Sequence, residues 1–113
     1  MMRFDASRVD WTPSKRTGIY VKVLWTDPAT NDAAVLVRMD PGCEYPRHLH
    51  VREEDVFVLQ GGFRDEQGEY RCGEFHRFAA GTIHAPIALQ GGETGELPCV
   101  LFAVARGGIE IIR

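Results

Sequence analysis

Apolar residues in this chain come in short bursts, each closed by glycine, proline, asparagine or aspartate, and nowhere do they keep a helical spacing over ten residues. Ile19 to Thr26 is rich in β-branched and aromatic residues and predicts a strand. Asp27-Pro28 and Asn31-Asp32 then punctuate a turn, and Ala33 to Met39 predicts a second strand. Asp40-Pro41-Gly42 breaks it, and extended structure resumes from Tyr45 to His50. Val56 to Leu59 is apolar at successive positions, which predicts a strand covered on both faces. Gly61-Gly62 turns the chain into a hairpin over Phe63 to Cys72, with its tip expected at Gln67-Gly68. Phe75 to Phe78 is a short strand ended by Ala79-Ala80-Gly81. Thr82 to Leu89 runs extended through His84, because Pro86 pushes Ala85 away from helix. A polar loop over Gly91 to Gly95 precedes a second two-sided apolar strand, Pro98 to Ala105, and Ile109 to Ile112 closes the chain. Many short strands with this punctuation predict an all-β sandwich or barrel.

Domain organisation follows from the same pattern. Residues 1–18 carry Trp11, Pro13 and Gly18 without a period, and read as an N-terminal arm that packs on its own barrel or on a second copy. Residues 19–113 read as a single domain, and 113 residues suffice for one core. Charged residues make up 26% and apolar ones 44%, which argues against disorder. A net charge of -3 without long like-charge blocks gives no reason to expect nucleic acid as a partner. Charges in Met1-Met2-Arg3-Phe4-Asp5 interrupt what a signal peptide needs to be apolar. The longest apolar run, Cys99 to Ala105, falls far short of the roughly 20 residues of a membrane helix. The expectation is a cytoplasmic protein without membrane partners. Cys43, Cys72 and Cys99 form no close pair and read as buried small apolar residues.

One stretch carries chemistry. His48 and His50 are two apart, so on a strand they share a face with Cα atoms roughly 6.5 Å apart, close enough for two imidazoles to hold one ion. Glu54 follows four residues later, while Glu53 and Asp55 face away on a regular strand. Further on, Gly81 permits a tight turn before a strand that can aim His84 back toward the pair. His76, Arg47, Arg52 and Arg77 read as strand contacts or solvated charges, with Tyr45, Phe57, Phe75, Phe78 and Phe102 as core.

Gly42, His48, His50, Glu54 and Gly61 resemble the first cupin motif: glycine, five residues, His-x-His, three residues, glutamate, six residues, glycine. Gly73, Gly81 and His84 resemble the second motif, in which Ala79 stands where the pattern has proline and Ala88 where it has asparagine. Val58 to Tyr70, together with Gly73 and Gly81-Thr82-Ile83-His84-Ala85-Pro86, is similar to the cupin domain of ChrR-type anti-sigma factors, over about residues 17–112. The resemblance implies a double-stranded β-helix, or jelly-roll barrel, with metal ligands His48, His50, Glu54 and His84. The branch also contains stand-alone proteins and iron-dependent dioxygenases acting on small ketones. A ChrR-type regulator carries a helical zinc domain that grips its sigma factor. No matching Cys/His cluster precedes residue 43, so anti-sigma activity is not implied.

Three imidazoles and a carboxylate suit one divalent transition metal ion: iron, zinc, nickel, copper or manganese. The first functional expectation is a metal-binding cupin that binds or senses a small molecule. The alternatives are an Fe(II)-dependent dioxygenase acting on a small diketone or hydroxyketone, and an assembly unit with a structural zinc. Pocket walls are expected from Val37, Val56, Val58 and Phe102. A homodimer is expected, through a barrel edge or the arm.

Overall fold

A computed structural model describes residues 2–91 and 97–113 of the chain. Within them the apolar bursts become twelve strands. In chain order these are β1 (Thr12–Pro13), β2 (Ile19–Asp27), β3 (Asp32–Met39), β4 (His48–His50), β5 (Glu54–Gln60) and β6 (Gly62–Asp65). β7 (Gly68–Arg71), β8 (Phe75–Phe78), β9 (Ile83–His84), β10 (Ile87–Ala88), β11 (Cys99–Ala105) and β12 (Ile109–Ile111) follow. A six-stranded sheet runs β1-β2-β3-β11-β5-β8, and two three-stranded sheets run β10-β6-β7 and β12-β4-β9. The named pairings are antiparallel, and the long crossovers between sequence neighbours make a jelly roll. The core sits between the sheets, with Ile19, Met39, Val58, Phe63 and Cys99 fully buried.

The hairpin tip lies one residue earlier than its sequence suggests. Asp65 pairs with Gly68, leaving Glu66-Gln67 as the turn, and the Asp65 carboxylate accepts from the Gln67 N–H at 2.8 Å. Extended structure around Tyr45 to His50 narrows to β4 and a single bridge from Glu44 to Ile87. Of the polar loop expected over 91–95, all but Gly91 lies outside the described residues. Cys99 is buried, with its thiol pKa pushed up to about 12 by burial, but Cys72 is exposed and Cys43 half-buried.

The two strands expected to be covered on both faces are covered on one. Val56 and Val58 point inward while Phe57 and Leu59 are exposed, and along β11 Val100, Phe102 and Val104 are only half-buried. Register lines up Leu36, Phe102, Phe57 and Phe75 as one apolar row across the outer face of the large sheet. Phe102 therefore cannot wall an internal pocket. Phe57 and Phe75 are likewise surface rather than core residues.

The arm packs on its own barrel. Asp5 caps a 3₁₀ turn at Ala6–Arg8, and β1 pairs with β2 at the sheet's edge. Lys22 donates to the Ala6 carbonyl at 2.9 Å, and Trp11 covers the cationic ends of Lys22 and Arg38 at 4.9 and 5.3 Å. This shields one edge of the large sheet and occupies two charges that share its outer face.

Two turns require glycine for different reasons. Gly61 has φ 64°, and an added Cβ would lie 2.8 Å from the Pro98 carbonyl oxygen. Gly81 has φ 84° but open space around it. Gly81→Ala should cost about 1–2 kcal/mol, from the left-handed backbone alone. Gly61→Ala should cost more, because rigid backbone must also move. Thermal melts that rank the two variants in the opposite order would contradict this account.

Candidate metal centre

β4 is only three residues long, yet both its edges are held. His48 pairs with His84 of β9 and with Ile111 of β12. Just beyond, His50 N–H donates to the Thr82 carbonyl at 2.9 Å and Gly81 N–H returns a bond to the His50 carbonyl at 2.8 Å. This ladder brings His84 against the His-x-His pair, as its approach from the Gly81 turn suggested.

All three imidazoles are buried, and their ring nitrogens divide cleanly into two sets. On the outer side, His48 Nδ1 lies 2.8 Å from the Pro46 carbonyl, His50 Nδ1 lies 2.9 Å from Thr82 Oγ1, and His84 Nδ1 lies 2.8 Å from Asp65 Oδ2. The Thr82 hydroxyl donates its own proton to the Ala79 carbonyl at 2.6 Å, so toward His50 it acts as an acceptor. Every Nδ1 therefore carries the proton, and in the neutral rings every Nε2 presents a lone pair.

Those lone pairs converge. His48 Nε2 and His84 Nε2 stand 3.2 Å apart, and His50 Nε2 lies 3.4 Å from Glu54 Oε1. His50 Nε2 is buried without a hydrogen-bond partner among the described residues. A proton could relieve the crowding, but burial opposes it. His48 is held at about 4, well below the usual histidine value, first by burial, and His84 is also lowered, with burial outweighing the help of Asp65. A cation fits instead. Two ligand atoms about 2.1 Å from one ion lie about 3.0 Å apart at a right angle and about 3.4 Å apart at a tetrahedral angle. The three histidines form a group that can hold a metal ion.

The sequence model of the ChrR cupin-like domain family matches residues 1–100. The chain belongs to that family. No curated protein sequence matches it significantly. A chain in the complex of Rhodobacter sphaeroides SigE with the anti-sigma ChrR is 28% identical, at a TM-score of 0.73 over 89% of this chain. This cupin spans only 50% of the length of that match. An RmlC-like cupin from Ralstonia eutropha JMP134 is 23% identical, with a TM-score of 0.80 over 96% of this chain and 74% of its own. A putative acetylacetone dioxygenase from Methylibium petroleiphilum PM1 is 16% identical, with a TM-score of 0.86 over 100% of this chain and 81% of its own. The last two likenesses show the fold alone. The family match also takes in the arm, which a resemblance beginning at residue 17 leaves out.

Around the cupin's histidines the four expected ligands are placed as follows. His48, His50 and His84 meet, and Glu54, at the start of β5, stands beside His50. Glu53 turns to Arg106 at 3.8 Å and Arg52 at 3.5 Å, and Asp55 makes two bonds to Arg77 and one to Arg106. These pairings hold the Asp55 carboxyl at about 2. His76 is exposed, edge-on to Tyr70 at 4.3 Å. Phe78 stacks on the His50 ring at 5.1 Å and leans on His84 at 4.6 Å, fixing both planes. A cavity of about 300 Å³ opens beside His48, Glu54 and His84, walled by Val37 and Val56 but not by Val58, which is packed into the core.

Asp65 and Thr82 are the positioning residues that the sequence pattern does not flag. Asp65 precedes a turn and reads as turn chemistry, yet its side chain is 1% exposed. Burial alone would raise its pKa, but hydrogen bonds from His84, Gln67 and Tyr70 hold it below the usual carboxylate range. A buried aspartate facing an imidazole orients the ring and makes it a better ligand. Asp65→Asn should lower metal affinity about 10–100-fold, while Glu66→Gln in the same turn should not. Equal affinity of both variants in a chelator-competition titration would contradict this role.

Acid should weaken the metal-free protein in a defined window. An unfolded chain protonates His48 near 6.5, whereas the folded chain resists until about 4. The stability from keeping the ring neutral is present above 6.5 and is lost as pH falls toward 4. Melting temperatures of metal-free protein should decline across that window, and a flat profile there would argue against a buried neutral cluster.

Proposed function

We propose that this cupin holds one divalent transition metal ion on His48, His50, His84 and Glu54 and binds a small molecule in the cavity beside it, as a binding or sensing module. The observation that carries the reading is the convergence of three deprotonated Nε2 atoms, each ring locked by an acceptor on its far side. The donor set, three nitrogens and a carboxylate, suits iron, zinc, nickel or manganese. Such an ion supplies Lewis acidity and a positive centre for an oxygen ligand. The rest comes from the chain. Glu54 contributes one negative charge, Phe78 and the Nδ1 acceptors keep the rings in place, and the apolar walls thin the water around any bound oxygen.

A second reading, a metal-dependent dioxygenase acting on a small diketone or hydroxyketone, is favoured by the likeness in fold to the putative acetylacetone dioxygenase and by a cavity that reaches the ligands themselves. Purified without chelator or nickel affinity resin, the protein should contain stoichiometric metal. Glu54→Gln should weaken binding markedly, and Glu53→Gln should be near neutral. Metal content unchanged by Glu54→Gln would remove the carboxylate from the site. X-ray absorption separates the uses. A position open to solvent beside the four side chains supports small-molecule binding, and oxygen uptake with small diketones would then move the enzyme ahead. A closed tetrahedral zinc would leave only a structural role.

We also propose that the protein is a homodimer, formed through the outer face of the large sheet rather than through the arm. The apolar row from Leu36 to Phe75 leaves Phe57 and Phe75 exposed, Leu59 two residues along β5 adds to the patch, and a second identical face is its simplest complement. Light scattering should give twice the chain mass at tens of micromolar, and Phe57→Glu should yield monomer. A wild-type monomer would refute it.

A further inference from the structure

Besides the two histidines, Glu54 and Tyr45, Asn31 brings a polar side chain to the cavity among the described residues, and its amide donates to the Gly107 carbonyl at 3.2 Å. Tyr45 lines the cavity beside His48, its ring edge-on to that imidazole at 5.1 Å, and its hydroxyl has no hydrogen-bond partner among the described residues. One wall is apolar and low. Ala33 pairs with Ala105, and Val35 with Ala103, so three methyl side chains leave room over β3 and β11 next to Glu54, the strand partner of Ala105. In the next rows Val37 pairs with Leu101 and Met39 with Cys99, and the larger Val37, Leu101 and Met39 continue the cavity wall.

Charge is one-sided. Among the described residues no arginine or lysine lines the cavity. Arg38 is held on the outer face over the Tyr20 ring at 4.2 Å, Arg77 and Arg106 by Asp55, and Arg47 by Glu66. A divalent ion on three neutral imidazoles and one carboxylate leaves one net positive charge, and nothing else in the cavity balances a second negative group. Tyr45 adds a hydroxyl donor beside His48, while the Asn31 amide is engaged by the Gly107 carbonyl.

We infer that the cavity takes a small apolar molecule with one anionic oxygen end, a monocarboxylate or an enolised diketone. Its oxygen sits beside His48 and Glu54, accepting a hydrogen bond from Tyr45, and its apolar body lies over Ala33, Ala103 and Ala105. The inference rests on the metal-centre reading above, and the test separates the two.

Zinc-loaded protein is titrated calorimetrically with benzoate, hexane-2,4-dione, phthalate and benzyl alcohol, with zinc content measured on every sample. Benzoate or the dione should bind at least about tenfold tighter than phthalate or benzyl alcohol, and whichever of the two binds identifies the oxygen end. Ala103→Leu, with Val35→Phe as a second way of filling the same space, should weaken that probe about tenfold or more while zinc and the circular dichroism spectrum are retained. Tyr45→Phe should weaken it about fivefold with the cavity unchanged. Full zinc content with phthalate binding as tightly as benzoate, or with no probe bound, overturns the inference and leaves the metal centre standing. Wild-type protein that takes up no zinc overturns both.

Discussion

Three imidazole nitrogens with their lone pairs turned toward one another form the constraint on which the rest of this structure depends. Left alone, such a cluster is unfavourable, because each buried acceptor has given up water without gaining a donor. What makes it tenable is the far side of each ring. The Pro46 carbonyl, the Thr82 hydroxyl and the Asp65 carboxylate each take the Nδ1 proton, so none can move to Nε2 without breaking a short hydrogen bond. A cation at the convergence satisfies all three nitrogens at once. The same holds for Glu54, whose oxygen stands 3.4 Å from His50 Nε2.

The jelly roll supplies each piece from a different part of the chain. β4 lies between β9 and β12, which places His48 and His50 against His84. The β6–β7 hairpin folds back so that Asp65, far from His84 in sequence, closes on its ring. The six-stranded sheet contributes Glu54 and, in the same row, the alanines that keep the neighbouring space open. Ile19, Met39, Phe63 and Cys99 are fully buried in the core, and Met39 and Phe63 reach from it to the cavity wall.

Much of this was legible in residue order. Strand boundaries follow the glycines and prolines, Phe75–Phe78 falls where its pattern places it, and the spacings of Gly42, His48, His50, Glu54 and Gly61 point to the end of the barrel where the histidines meet. What was not legible depends on contacts that local pattern does not encode. Phe57 and Phe102 look like core because they are aromatic and flanked by apolar residues, but both stand on the outer face of the large sheet, where Phe57 is exposed and Phe102 half-buried. Asp65 looks like a turn residue and is one, bonding Gln67, while its second oxygen serves His84. No one-dimensional signal separates these two duties. Local pattern also left open where the arm lies, which is decided by Trp11 finding Lys22 and Arg38 on a neighbouring surface.

The positions of the protons on the three imidazoles are read directly by nitrogen NMR. Long-range ¹H–¹⁵N correlation spectra of the metal-free protein at neutral pH should show His48, His50 and His84 as neutral Nδ1–H tautomers. On adding zinc, the Nε2 resonance of each should shift while the Nδ1 protons stay in place. Nε2–H tautomers on two of the three rings, or Nε2 resonances indifferent to zinc, would contradict the account.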